Sequence, residues 1–359
     1  MKTALLHYWL HTMRGGEKLL AELCRMLPEA TVFTHAVDPE KIAPEILAHP
    51  IRTSFIARLP GARRHSQRYL PLMPMASRQW DLAGMDLIVS SESGPVKNIR
   101  KPAGSRHICY CHSPMRYVWD MYDEYYRASS LPRRAAMRLC RRPLQRADRR
   151  SAGSVDQFIA NSRFVADRIR RIYQRDALVI PPPVDTDFFG APQPLQPRQY
   201  WLWAGELTCY KHPEMAIEAC RRTGAPLIVA GGGDMLRECQ KNAPPHVHFT
   251  GRVTDAELRR LYAGARGLLF PGMEDFGMIP VEAQAAGTPV IALAAGGALE
   301  TVINRQTGVF FAPDRGLDGL LEAMEEAAAI RWDESVIREH ARTFSPAAFR
   351  ARITPLLTV

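Results

Sequence analysis

Two carboxylates, Glu274 and Glu282, stand with seven residues between them in GMEDFGMIPVEAQAAGTPVIA, residues 272–292. An ionised carboxylate only accepts hydrogen bonds, and it can hold both hydroxyls of a vicinal diol. A pair of them in one crevice suits a ligand with a diol-bearing group at each end, such as a nucleotide sugar. The residues around them say how they are held. RGLLFPG reads as a buried strand. IPVEAQAAG reads as a helix, with Pro280 near its first position and Gly287 as its stop. The backbone N–H groups of Phe276, Gly277 and Met278 then lie at a helix N-terminus, an end that attracts anions and hydroxyl oxygens. Glu274 falls at the carboxyl end of the strand, and Glu282 is placed in the first helical turn. Ligands of parallel sheets bind outside that edge, so both carboxylates are expected to face one crevice. Helix capping accounts for a glutamate here equally well on the residues alone.

The same strand-helix alternation runs along most of the chain. KTALLHYWL, ATVFTHAV, DLIVSSES, HICYCHS and DQFIANS read as strands of the first half, with GGEKLLAELCRMLP and RFVADRIRRIY as helices. QYWLWAGE, PLIVAGGG, VHFTGRV, RGLLFPG, PVIAL and TGVFFAP repeat the pattern in the second half. Such alternation predicts α/β architecture with parallel, doubly wound sheets. A proline-rich stretch without helical period, PPPVDTDFFGAPQPLQPR, separates the halves and reads as a linker. The expected boundaries are 1–180, a linker over 181–198, 199–340, and a terminal segment over 341–359 containing the helix SPAAFRARITPLL.

At 359 residues the chain suits two α/β domains. No apolar run is long enough for a membrane-spanning helix. The short apolar stretch at the N-terminus lacks a small-residue cleavage site and reads as a strand. Seven cysteines are scattered without a second close pair beside Cys109 and Cys111, which argues for reduced thiols and against a zinc site. Charge is uneven. Residues 1–190 hold 30 Lys+Arg against 18 Asp+Glu, a net of +12, and the rest hold 17 against 19, a net of −2. The first half therefore expects an anionic partner.

From Trp203 to Pro313 the chain resembles the glycosyltransferase family 4 enzymes. The resemblance rests on AGELTCYKHPEMAIEA, LIVAGGGD, FTGRVTDAELRRLYAGA, FPGMEDFGMIPVEAQAAGTPVIA and GGALETVINRQTGVFF, with IPPPVDTDFF and ANSRFVADRI upstream. HYWLHTMRGGEK and HICYCHSPMRYVWDMY look most like bacterial polysaccharide and O-antigen mannosyltransferases. The resemblance implies a GT-B fold, two Rossmann-like domains with parallel sheets facing across a cleft, and retaining transfer without a metal or other cofactor. It implies that Glu274 meets the donor sugar, that Glu282 binds the ribose, and that Asp275, Phe276, Gly277 and Met278 line the donor site. It also implies a diphosphate held by an Arg and a Lys in a G-R-L-x-x-x-K pattern. Here Lys211 matches, but Glu206 stands where the family has arginine. A leaving diphosphate needs cationic stabilisation, so either Arg252 or Arg163 supplies it, or Glu206 pairs with Lys211. In the first half, Gly15 and Gly16 match a backbone approach to phosphate, and His112 matches a histidine that meets the donor sugar. Ser113, Arg116 and Tyr117 are candidates for the acceptor side.

Two features resemble other chemistry. Asp185 and Asp187 form an Asp-x-Asp as in metal-dependent glycosyltransferases, but they sit in the linker pattern. Gly231-Gly232-Gly233 follows a strand as a dinucleotide loop would, without the acidic residue that such a loop requires. No catalytic triad has persuasive spacing.

LPRRAAMRLCRRPLQRADRR, 131–150, holds eight arginines and one aspartate. Leu131, Ala135, Met137, Leu139 and Leu144 are interleaved, and Pro143 is expected to break the helix. Arg133, Arg134, Arg138, Arg141 and Arg142 are either a solvated face or a contact with an anionic membrane surface. Nucleic acid is not expected, because no recognition motif or stacking platform accompanies the charge. The sequence reading is a retaining hexosyltransferase, an α-mannosyltransferase using GDP-mannose foremost, with GDP-rhamnose and UDP-hexoses open. Its partners are a nucleotide-diphosphate sugar and a lipid-linked oligosaccharide or glycan acceptor. Its expected place is cytoplasmic, at the inner face of the cell membrane. A GT-B epimerase and a non-catalytic sugar-nucleotide or lipid-binding protein are the rival readings.

Overall fold

The computed structural model describes residues 1–127, 129–193 and 198–358, so residues 194–197 of the expected linker lie outside the described residues. The chain divides into two compact units, Met1–Pro182 with Arg350–Val359, and Pro183–Phe349.

The first unit is built on seven strands: β1 (Thr3–His7), β2 (Thr31–Thr34), β3 (Ile51–Thr53), β4 (Leu87–Glu92), β5 (Arg106–Cys111), β6 (Gln157–Ala160) and β7 (Ala177–Val179). Their order is β3-β2-β1-β4-β5-β6-β7, with every pair parallel. Helices cover both faces of such sheets, which is why β1, β4 and β5 read as near-continuous apolar runs. Leu5, Leu6, Ile88, Val89, Ile108 and Phe158 are all fully or almost fully buried. β3 and β7 went unread in the sequence. Each is a three-residue edge strand, too short to show a period of two.

Strand order reverses between β1 and β4. His7 and Ser91 are register partners there, so their side chains stand side by side on one face. The helix Gly15–Met26 follows β1 and buries Leu19, Leu20 and Leu23. Further on, the helix Leu131–Ser151 is continuous, which corrects the expected break at Pro143. The proline removes one hydrogen bond to the Leu139 carbonyl, and Leu139 sits on the exposed side at 78%, where water replaces the lost donor. The helix is fixed at its far end by Asp148. That carboxylate pairs with the fully buried Lys97, which also pairs with Glu92. Trp119 Nε1 and the Tyr173 hydroxyl donate to the other Asp148 oxygen at 2.7 and 2.8 Å.

The second unit holds six parallel strands: β8 (Tyr200–Ala204), β9 (Leu227–Ala230), β10 (Val247–Gly251), β11 (Ala265–Phe270), β12 (Val290–Leu293) and β13 (Gly308–Phe311). Their order is β10-β9-β8-β11-β12-β13, reversing between β8 and β11. The helix Met278–Ala285 is buried along most of its length. Arg338 from the helix Glu334–Arg342 donates to the Ala285 and Gly190 carbonyls at 3.2 and 3.3 Å. The last helix, Pro346–Leu357, begins in the second unit, and from Arg350 onward belongs to the first. There Arg350 pairs with the buried Glu22, and Arg106 donates to the Leu356 carbonyl at 3.0 Å.

Candidate functional site

In the second unit, the segments that leave β8 and β11 at the reversal point meet. Lys211, at the end of the loop after β8, places Nζ 2.8 Å from Glu274 Oε1, in the loop after β11. The two side chains are 13% and 16% exposed. Burial disfavours the Lys211 ammonium most strongly of any single cause, but Glu274, Tyr210 and Glu206 together outweigh it and the net shift is upward. Glycine permits the close approach. A Cβ on Gly272 would lie 2.6 Å from Lys211 Cα.

A turn at Gly296-Gly297 braces the other side of this loop. The Gly297 N–H donates to the Glu274 carbonyl at 2.8 Å, and a Cβ on Gly297 would fall 2.4 Å from Phe276 Cα. The Phe276 ring is buried, edge-on to Phe344 at 5.6 Å. Gly277 then turns with φ +84°, and the helix starts at Met278. Among the described residues, the N–H groups of Phe276, Gly277 and Met278 donate to no backbone carbonyl. A braced loop thus brings three amide groups, a lysine and a carboxylate to one edge of the sheet. Asp275 is 6% exposed within this loop.

Glu282 is the fifth residue of that helix. This corrects its placement in the first turn, because the left-handed Gly277 sets the start at Met278. It is 4% exposed and accepts a hydrogen bond from the Tyr262 hydroxyl at 3.1 Å. Burial and the Glu282 charge push the Tyr262 phenol well above its usual range. Tyr262 was absent from the sequence reading; its signal, a tyrosine in DAELRRLYAGA, is indistinguishable from an ordinary core residue.

Glu206 is half-buried beside Gly205. The ion-pair partner of Lys211 is Glu274, which corrects the suggested Glu206–Lys211 pair; Glu206 adds only a lesser electrostatic push on the same ammonium. Arg252 is exposed, and its side chain lies 3.3 Å from where a Gly232 Cβ would stand. It therefore covers the Gly231–Gly233 turn after β9, the strand next to β8. Arg163 opens a helix of the first unit. Asp185 caps the helix Thr186–Gly190, accepting from the Phe188 N–H at 3.0 Å.

In the first unit, the corresponding reversal point gathers His7, Ser91 and His112. Ser91 Oγ lies 3.1 Å from His7 Nδ1 and 2.9 Å from His112 Nε2. Burial, with help from His7 and Arg116, lowers the His112 pKa to about 3, so the ring is neutral at ordinary pH. Gly15 and Gly16 open the helix after β1, and a Cβ on Gly16 would lie 3.5 Å from His112 Nε2. His7 and Ser91 were missed because a buried polar pair inside apolar runs shows only once register is known. Ser113 spends its hydroxyl on the Pro114 carbonyl at 2.8 Å.

The acceptor candidates divide. The Tyr117 hydroxyl is buried and without a hydrogen-bond partner among the described residues, and Arg116 is half-buried beside it in sequence. Tyr117, Trp9, Leu70, Met137, Arg133 and Arg141 help to line a cavity of about 580 Å³. Arg141 lies over the Tyr122 ring at 3.8 Å. Arg134 is used locally, donating to the Tyr126 and Arg127 carbonyls. Arg133, Arg138 and Arg142 are exposed.

Comparison with known proteins bears on the family and the fold. Residues 13–188 match the family described as Glycosyltransferase Family 4, and residues 187–344 match Glycosyl transferases group 1. The chain is 38% identical over 126 residues to a GDP-mannose-dependent alpha-(1-6)-phosphatidylinositol monomannoside mannosyltransferase of Mycobacterium tuberculosis, covering 31% of this chain and 32% of that one. It is 24% identical over 310 residues to the D-rhamnosyltransferase WbpZ of Pseudomonas aeruginosa, covering 77% and 76%. The first of these alignments spans only about a third of the relative. Among solved structures, Anabaena Alr3699/HepE in complex with UDP superposes with a TM-score of 0.71 at 17% identity, covering 99% of both chains. That likeness establishes the fold.

Proposed function

Because this chain belongs to the family 4 glycosyltransferases and has their GT-B fold, we propose that it transfers a hexose from a nucleotide-diphosphate sugar, with retention. Mannose from GDP-mannose is the preferred donor, on the named activity of the mycobacterial relative and the motifs of the first half. The observation that carries the reading is the braced loop 272–277, with the Lys211–Glu274 pair beside three amide donors at one sheet edge. Lys211 and the amides of Phe276, Gly277 and Met278 suit the diphosphate, and Lys211 stabilises the charge that develops as the bond to the sugar breaks. Glu274 orients the sugar, and Glu282, steadied by Tyr262, takes the ribose hydroxyls. Asp275 shapes the loop, and Arg252 or Arg163 compensates for Glu206. Gly15 and Gly16 allow backbone close to the donor, and His112 meets the sugar. Retention proceeds without a protein nucleophile, the departing phosphate oxygen taking the acceptor's proton on the same face.

The acceptor reading is a lipid-linked oligosaccharide or glycan at the inner face of the cell membrane. It is supported by the +12 charge of residues 1–190 and by the arginine-rich helix. No described helix is long and apolar enough to cross a membrane. A non-catalytic binding protein is the second reading, favoured by Glu206 alone.

A nucleotide-release assay over a panel of GDP- and UDP-sugars, with and without a lipid-linked glycan acceptor, tests the proposal. Transfer or slow donor hydrolysis is expected, with Glu282→Ala raising donor KM sharply. Tight donor binding with no turnover under any condition would favour the binding protein. Release of an epimerised free sugar without acceptor would favour an epimerase.

A further inference from the structure

The buried polar groups at the reversal point of the first sheet form a chain with a direction. His7 and Ser91 are completely buried and Glu17 is 1% exposed. Ser91 carries one hydroxyl proton and sits within hydrogen-bond reach of two imidazole nitrogens, His7 Nδ1 at 3.1 Å and His112 Nε2 at 2.9 Å. It can donate to one of them and must accept from the other. The far end of the chain decides which. His7 Nε2 is buried without a hydrogen-bond partner among the described residues, and the anion facing it is Glu17 Oε1 at 3.7 Å. A carboxylate only accepts, so a bare nitrogen lone pair facing it is repelled and an N–H is attracted.

We propose that Glu17, His7 and Ser91 act as positioning residues that hold His112 in its Nε2–H tautomer, leaving Nδ1 as a bare acceptor for a ligand hydroxyl. In this arrangement His7 carries its proton on Nε2, Ser91 donates to His7 Nδ1, and His112 Nε2–H donates to Ser91 Oγ. His112 Nδ1 has no protein partner among the described residues. Other neighbours close around the chain. The Tyr8 ring stacks on His7 at 4.2 Å, and Gly16 leaves no room for another side chain, since its Cβ would meet Tyr8 Oη at 2.9 Å. Burial of the ring, with lesser help from His7 and Arg116, disfavours a second proton on His112. The consequence is chemical selection. The reversed tautomer would present a donor suited to a phosphate oxygen, whereas this one accepts from a hydroxyl of the sugar or of its acceptor. That last clause rests on the proposed transferase reading; the tautomer itself does not.

Nitrogen-15 NMR of histidine-labelled protein reads the tautomer without any substrate, with the His112 signals assigned through His112→Gln. The expected spectrum has a protonated Nε2 and an unprotonated Nδ1. Ser91→Ala should produce a tautomer mixture, Ser91→Thr should restore the native pattern, and Glu17→Gln, whose amide can donate to His7, should shift His112 toward Nδ1–H. In turnover, Ser91→Ala and Glu17→Gln should lower kcat about tenfold or more while donor KM changes less than about twofold. A native protein with His112 protonated at Nδ1 would overturn the relay, as would Ser91→Ala leaving the tautomer intact. The native NMR pattern together with absent turnover in the unmodified protein would keep the relay and reject the transferase reading.

Discussion

Lys211 and Glu274 share an ion pair, Nζ to Oε1 at 2.8 Å, across the point where the second sheet reverses its strand order. The two charges face each other in a largely buried setting, yet Glu274 Oε1 keeps no hydrogen-bond partner among the described residues. On the proposed reading, a diphosphate entering that edge would pair with the lysine and leave the glutamate's oxygens to sugar hydroxyls.

Lys211→Ala should therefore lower kcat by about 10²- to 10³-fold, the usual cost of losing one donor aimed at developing charge. Glu274→Ala should be deleterious as well. Because each partner leaves the other unpaired, the double variant should fall well short of the sum of the single losses, with a coupling of about 1–3 kcal/mol. Steady-state kinetics of nucleotide release on the four proteins measures this, and strict additivity would mean that the two residues act independently.

Gly297→Ala probes the brace rather than the chemistry. Gly297 has φ −68°, so alanine suits its backbone. The added methyl would instead stand 2.4 to 2.6 Å from Phe276 Cα, C and O. The loop must shift, at about 1–3 kcal/mol of stability, and the three amides move with it. Donor KM should rise at least about tenfold, measured beside the denaturation midpoint. A stable variant with native KM would show that these amides do not hold the donor.

That brace also shows what the sequence could and could not disclose. β8, β11 and the helix after β11 were legible because a buried parallel strand is a run of apolar residues and a helix carries its own stop signals. Glu274 was legible as a candidate from its place at the carboxyl end of a strand ahead of a helix, and Lys211 from its match to the family pattern. Their pairing was not, since Lys211 and Glu274 are far apart in sequence and meet only through the closeness of Gly272 to the Lys211 backbone. Glu206, adjacent in the motif, looked like the natural partner. Similarly, Ser91 became meaningful only when the register set it beside His7. Pro143 misled for the opposite reason: its local rule was right, but its freed carbonyl had solvent to turn to.

Acid should destabilise the first unit earlier than its carboxylates alone would. Burial lowers the His35 pKa to about 3 and the His107 pKa to about 4, against an ordinary 6.5. The unfolded chain binds protons on these rings below about pH 6.5, while the folded chain does not until far lower. The stability they confer is thus complete above pH 6.5 and is lost as pH falls toward 4. Each contributes a slope of up to about 1.4 kcal/mol per pH unit in that window. Calorimetric melting between pH 7 and 4.5 should show a falling Tm with proton uptake on unfolding, blunted in His35→Gln and His107→Gln. A Tm independent of pH across that range would mean that the rings take up protons in the folded protein as readily as in the unfolded chain.

The arginine-rich helix makes the last prediction. Leu131 and Leu139 are 77% and 78% exposed. Together with Ala135 they recur every fourth residue, forming one stripe, opposite the face that buries Leu144 and Asp148. Arg134, Arg138 and Arg142 follow the same spacing alongside. A merely solvated helix has no use for two exposed leucines set between arginines. At an anionic bilayer, the leucines would enter the headgroup boundary while each nearby arginine contributes about 1 kcal/mol. The double variant Leu131→Ser, Leu139→Ser should weaken sedimentation with phosphatidylglycerol vesicles by about tenfold or more and leave its salt dependence in place. Arg138→Glu with Arg142→Glu should weaken it and flatten that dependence. Turnover of a water-soluble acceptor should be unaffected by the leucine changes. Unmodified protein that ignores anionic vesicles at low salt would leave the helix a solvated surface and remove the membrane from the functional reading.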